Sequence, residues 1–144
     1  MVAKANRIVV AVDASPISDA VMREAAAIGQ ALASDVYVVS VVPMSSFAMS
    51  ESDIDRKEAK SEGDSYVAMH KALMEKHFPD SKLLVESKVF YGDPVKKICE
   101  FAEAANARLI VLGNRGMGHL QALFLGSTSE GVLRGAKTSV LVVK

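Results

Sequence analysis

Tryptophan is absent from this sequence of 144 residues, and cysteine occurs once, as Cys99. A lone thiol cannot close an internal disulfide, so a reducing, cytoplasmic setting is the default expectation. Net charge is missing as well, because Lys plus Arg and Asp plus Glu each total 17. A general binder of phosphate backbones carries a basic excess. Neither that excess nor a basic cluster with interleaved aromatics occurs here, which sets nucleic acid aside as a partner; Lys96-Lys97 and Arg56-Lys57 read as solvated faces. Long apolar runs are wanting too: none approaches the roughly 18 residues that cross a bilayer. The opening MVAKANRIVVAVD leaves no room for a secretory leader before its first strand-like run. No membrane association is expected. Linkers, internal repeats and low-complexity stretches are also lacking. Residues 1–144 therefore read as one domain, long enough to bury a core.

What is present is an alternation of short apolar runs with longer amphipathic ones. RIVVAVD (7–13) reads as a first strand. Ser15-Pro16 then opens a helix, with Ser15 as N-cap and Pro16 at the first helical position. Val21, Ala25, Ile28 and Leu32 follow on one face. DVYVVSVVP (35–43) is a second strand, and MSSFAMSES (44–52) has no period and reads as a loop. Residues 53–78 carry a charged helical pattern with a narrow apolar stripe that includes Tyr66, Met69 and Leu73. KLLVESKVF (82–90) is a third strand, with Leu83, Val85 and Val89 on one face and Glu86 and Lys88 interrupting the other. Gly92-Asp93-Pro94 turns into a helix with Val95, Ile98, Ala102 and Ala105 inward; RLIVLG (108–113), a helix over 127–135 and SVLVV (139–143) complete the chain.

Strands alternating with helices imply βαβ units and a parallel sheet. The first, second and fourth strands are apolar on both faces, as central parallel strands are, whereas the charged half of the third suits an edge. The fold class is therefore α/β: a doubly wound, five-stranded parallel sheet of order 3-2-1-4-5, with right-handed crossovers and helices on both faces. In that order the winding reverses between strands one and four, and ligands bind beyond the carboxyl ends of strands flanking such a point. Asp13 and Gly113 stand there.

VLGNRGMGHLQALFLGSTSEGVL (111–133) leads from the fourth strand to the fourth helix through Gly113, Gly116, Gly118 and Gly126, then Ser127-Thr128-Ser129. Glycines permit positive φ and close approach to backbone N–H groups. A helix starting at once adds unpaired N–H groups and partial positive charge, which together make an anion site suited to phosphate. Ser127 is the natural N-cap, with Thr128 and Ser129 adding hydroxyl donors. A tight turn and a simple cap remain the plainer alternatives, as does Asp13 as a mere turn residue. No Walker sequence occurs, and the glycines follow the fourth strand rather than the first.

The spacing Gly113-x2-Gly116-x9-Gly126-Ser127 resembles the ATP-binding signature of the universal stress protein family. IVVAVDASPISDAVMREA, GDPVKKICEFAEAANARLIVLGNRG and GSTSEGVLRGAKTSVLVVK resemble its first strand and helix, its third helix and fourth strand, and its ending. That resemblance implies ATP, or another adenine nucleotide, as cofactor. Asp13 with Ala11 and Val12 is then expected against the adenine and ribose, and Val41 on the adenine ring. Gly113 and Gly116 follow the ribose and phosphates, Leu112 belongs to the same binding set, and Gly126, Ser127, Thr128 and Ser129 close around the phosphate chain. A divalent ion, Mg or Mn, fits beside the phosphates as counterion, but no dedicated ligand cluster stands out. The implied role is a nucleotide-dependent stress-response switch, in which bound nucleotide biases the glycine loop or residues 44–52 and so changes which partner is bound.

Other readings are weaker. A response-regulator receiver shares the sheet order but requires an acidic pair, an aspartate after strand three and a lysine after strand five; here strand three ends in Phe90-Tyr91. Arg115 and His119 lie in the glycine loop as solvated positions. His70 and His77 are seven apart and are expected at the surface, and Cys99 within the core. No nucleophile, base and acid assemble into a catalytic set. Two alternatives stay open: a slow ATPase or autophosphorylating enzyme with Ser127, Thr128 or Ser129 as acceptor, and a nucleotide-free scaffold. SVLVV is an apolar edge with no charge before Lys144, a liability best covered by the same strand of a second copy about a two-fold axis. A homodimer through this strand is expected, as the family resemblance also implies.

Overall fold

The computed structural model describes residues 5–44, 53–114 and 125–144. Gly116, Arg115, His119 and nearly all of the 44–52 loop lie outside the described residues. The elements are β1 (Arg7–Ala11), α1 (Ser18–Leu32), β2 (Asp35–Pro43), α2 (Asp53–His77), β3 (Val85–Gly92), α3 (Pro94–Ala104), β4 (Leu109–Gly113), α4 (Ser127–Gly135) and β5 (Ser139–Val143). Every neighbouring pair is parallel and the order is β3-β2-β1-β4-β5. The expected winding is the observed one, with β3 and β5 at the edges.

Alternation along the strands divides the core between the two faces of the sheet. Ile8, Val10, Val36, Val38 and Val111 pack with Val21, Met22 and Ala25 of α1 and with Met69, Leu73 and Met74 of α2. Val9, Val39, Ile110 and Leu112 pack on the other face with Ile98 and Ala102 of α3 and Val132 of α4. Central strands are thus buried on both sides, which is why they read as unbroken apolar runs. Gly131 lets α4 sit close against α3: a Cβ there would lie 2.6 Å from Val95 Cγ2.

Helix α3 begins as the sequence indicates, with Asp93 as N-cap accepting from the Lys96 N–H and Pro94 in the first turn. Helix α1 does not. It starts at Ser18 with Ile17 as N-cap, and no side chain caps it. Ser15 sits in the turn before it, its N–H donating to Asp13 Oδ1 at 2.8 Å and its carbonyl accepting from Ser18 N–H at 3.2 Å. The Asp13 side chain competes for the local donors and so delays the helix. Ser15 Oγ itself is buried without a partner among the described residues.

Candidate functional site

A cavity of about 370 Å³ opens beyond the carboxyl ends of β1, β2 and β4, within the roughly 300–1,000 Å³ range of small-molecule sites. Its floor is made by the strand ends. One wall comes from the start of α1 and from Glu62 and Tyr66 of α2; the other comes from Pro94 and Ile98 of α3 and the first turn of α4. Ala11, Val12, Asp13, Val41, Leu112, Gly113, Gly126, Ser127, Thr128 and Ser129 all line this crevice. Gly116 lies outside the described residues. The sequence therefore brought together positions that span more than a hundred residues, and the structure gathers them at the switch point of the sheet.

Asp13 is held by a compact set of bonds just after β1. Ser18 Oγ donates to the Asp13 carbonyl at 2.6 Å and accepts from the Asp13 N–H at 3.2 Å. Because Ser15 N–H occupies Oδ1, the carboxylate is fixed in orientation while its second oxygen makes no bond to the described residues. Tyr66 stands opposite: burial first, then the negative charges of Glu62 and Asp13, push its hydroxyl above the ordinary tyrosine range. The described lining carries these two carboxylates and no lysine, arginine or histidine.

β2 presents a free piece of backbone to the same crevice. In a parallel ladder the N–H and C=O of one residue face the same neighbour, and successive residues alternate. Val39 C=O accepts from Val12 N–H at 2.9 Å, so odd-numbered residues of β2 face β1; Val36 N–H reaches Leu84 O at 2.8 Å, so even-numbered ones face β3. The β1 ladder ends with Ala11 opposite Val39. Val41 thus turns one donor and one acceptor toward the space that β1 has left, and among the described residues neither has a backbone partner.

Beside it lies a polar chain that the sequence did not announce. Ser40 Oγ donates to the Val12 carbonyl at 2.6 Å and contacts His70 Nε2 at 2.7 Å, while His70 Nδ1 contacts Ser87 Oγ at 2.6 Å. Since the Ser40 proton is committed to Val12, His70 must donate through Nε2 and accept from Ser87 through Nδ1. The expectation that His70 lies at the surface is incorrect: it is 0% exposed. Burial holds it neutral and lowers its pKa from 6.5 to about 4. His77 is also more engaged than expected, bonding Asp19 Oδ1 at 2.9 Å beside Lys76. A signal for His70 existed, since it is four residues after Tyr66 and three before Leu73, on the stripe already recognised. Ser18, Ser40, Glu62 and Tyr66 were missed for want of any local motif.

At the far end, Gly126 rather than Ser127 is the N-cap of α4, and no side chain caps the helix. Gly126 has φ −64° and ψ 155°, and Gly113 does not take positive φ either. Left-handed backbone is therefore not what these two glycines supply; the bare surface is. Ser129 is buried and spends its hydroxyl on the Gly113 carbonyl, tying the helix start to β4. Ser127 is exposed and Thr128 half-buried, so those two hydroxyls and the first-turn N–H groups face the crevice. No three His, Cys, Asp or Glu side chains gather to hold a metal among the described residues, and no described helix is long and apolar enough to cross a membrane.

A model of the universal stress protein family matches residues 4–144. A universal stress protein of Methanocaldococcus jannaschii is 31% identical over 143 residues, covering 96% of this chain and 82% of that protein. Among solved structures, universal stress protein UspA from Lactobacillus plantarum matches with a TM-score of 0.86 at 23% identity, covering 99% of this chain and 100% of that one. The universal stress protein of Archaeoglobus fulgidus solved in complex with dAMP matches with a TM-score of 0.66 at 27% identity over 100% of both chains.

Proposed function

The chain belongs to the universal stress protein family, and from that premise we propose that it binds an adenine nucleotide, ATP first among them, in the crevice at the sheet's switch point. One observation carries the reading: every described residue of the expected signature lines a single cavity of suitable size. A related protein taking dAMP supports the same ligand class.

In this reading the Val41 N–H and C=O pair with N1 and the exocyclic amino group of adenine, which offer an acceptor and a donor in the matching order. Val41 and Leu112 give the ring apolar contact. Asp13, with one oxygen already engaged, uses the other for the ribose hydroxyls. Gly113 and Gly126 leave room for the phosphates, and the opening N–H groups of α4 with Ser127 and Thr128 receive their charge. The described residues offer Mg or Mn no ligand set of their own, so phosphate oxygens would have to supply most of the coordination. Nucleotide occupancy is the signal that such a switch transmits to a partner. An enzyme would ask for a base beside Ser127 or Thr128, and among the described lining residues Asp13 and Glu62 are the carboxylates that could serve.

The proposal extends to assembly and setting. β5 is a sheet edge, and Val140 and Val142 direct their backbone groups outward, because Val143 faces β4 through the bond from Asn114 N–H. A second copy pairing there gives a homodimer, and the single thiol suits the cytoplasm.

Calorimetry with ATP, ADP and AMP, joined to mass spectrometry of co-purifying small molecules, tests the site. Saturable binding that Gly126→Val weakens at least tenfold is the expected result. No heat with any of the three, and no adenine in the purified protein, leaves the scaffold alternative in possession. Labelled phosphate appearing on the protein from γ-labelled ATP would favour the enzyme.

A further inference from the structure

Resting on the adenine-nucleotide reading, we infer that Ser40 and His70 form a latch that keeps the base-reading edge of Val41 open. Regular extension of the β1–β2 ladder would bring the Val41 N–H onto the Val12 carbonyl, the next acceptor in register after the bond from Val12 N–H to Val39. The Ser40 hydroxyl occupies that carbonyl instead, at 2.6 Å. A hydroxyl can rotate away, but here its aim and the His70 tautomer hold one another: with Nε2–H donating to the Ser40 oxygen at 2.7 Å, the hydroxyl proton is left for Val12. His70 in turn is fixed by Ser87 on the far side of its ring, and it is wholly buried. The latch spans α2, β2 and β3 and ends one peptide from both Asp13 and Val41. Ser40 borders the crevice while His70 stands behind it; the pair acts by denying Val12 to Val41, and so is a positioning pair.

The consequence for binding is specific to ligands that accept from Val41. AMP presents N1 as acceptor, whereas 1-deaza-AMP has a C–H there. Wild type is expected to prefer AMP by about tenfold, the worth of one well-placed hydrogen bond. Ser40→Ala frees the Val12 carbonyl to take the Val41 N–H, and should lose about fivefold to tenfold for AMP while 1-deaza-AMP binding stays unchanged. His70→Leu should shift AMP in the same direction, and His70→Gln, which can still donate to Ser40, should recover most of the loss. Equal losses for both ligands in Ser40→Ala would overturn the latch, because a merely structural defect does not discriminate between them. So would a wild type that binds both equally. A wild type that binds neither sinks the nucleotide reading itself, and the latch with it. One measurement needs no variant: in ligand-free protein the Val41 amide should exchange with solvent faster than the ladder-bonded amides of β2, and protection equal to theirs refutes the latch.

Discussion

Acidification should unlock α2 from the sheet through one side chain. His70 is wholly buried and neutral, and burial lowers its pKa from 6.5 to about 4. Below about 6.5 the unfolded chain takes up a proton at this residue that the native state refuses until about 4. The unfolded state then binds more protons, so stability rises with pH across that window and falls as the solution is acidified. Between pH 7 and pH 5 the loss assigned to His70 is about 2 kcal/mol, and it approaches about 3 kcal/mol once the window is crossed. Urea unfolding followed by circular dichroism at the two pH values measures it in wild type and in His70→Gln. Other titrating groups are common to both proteins, so the difference in their pH slopes isolates His70. The variant starts less stable, since its shorter side chain satisfies Ser40 and Ser87 less well, but it should lose about 2 kcal/mol less on acidification. Parallel slopes would refute the reasoning, as would an imidazole resonance of His70 titrating near its ordinary value.

Three further outcomes follow from particular contacts. Gly131→Ala drives a methyl toward Val95 Cγ2 and should cost about 1–3 kcal/mol in thermal unfolding, with Val95→Ala restoring much of it. Asp19 accepts from Lys76 and His77, which lower its pKa to about 2, so its stabilisation is present above about 4 and is lost as pH falls toward 2; Asn at this position should flatten the acid limb of the unfolding curve only there. Val142→Pro removes an N–H from the open side of β5 while sparing the ladder to β4. Sedimentation should then show monomer where wild type is dimeric, and a wild type that is monomeric at micromolar concentration defeats that expectation.

The sheet order was legible because burial on both faces writes continuous apolar runs, as in IVVAV and LIVLG, while Glu86 and Lys88 mark the edge. The crevice was legible because a switch point and a glycine-rich junction each leave a pattern within a few residues. Capping was harder to read. Ser15 and Ser127 both have the right chemistry for an N-cap, yet Asp13 claims the first turn and Gly126 displaces the second by one residue. The polar chain from Ser40 to His70 and Ser87 left no local trace, because its members sit 30 and 17 residues apart. Only the sheet register brings them together, and periodicity within α2 could place His70 on the inner stripe without naming its partners.

The crevice lies at a seam where helices from opposite faces of the sheet come within reach of a single small molecule. Any occupant is a crossbar between the α1–α2 layer and the α3–α4 layer, whose cores are otherwise separate. Its grip therefore braces the whole fold rather than one loop. At a hundredfold excess over its dissociation constant it would raise global unfolding by about 2.7 kcal/mol, and slowed amide exchange should spread through both layers together.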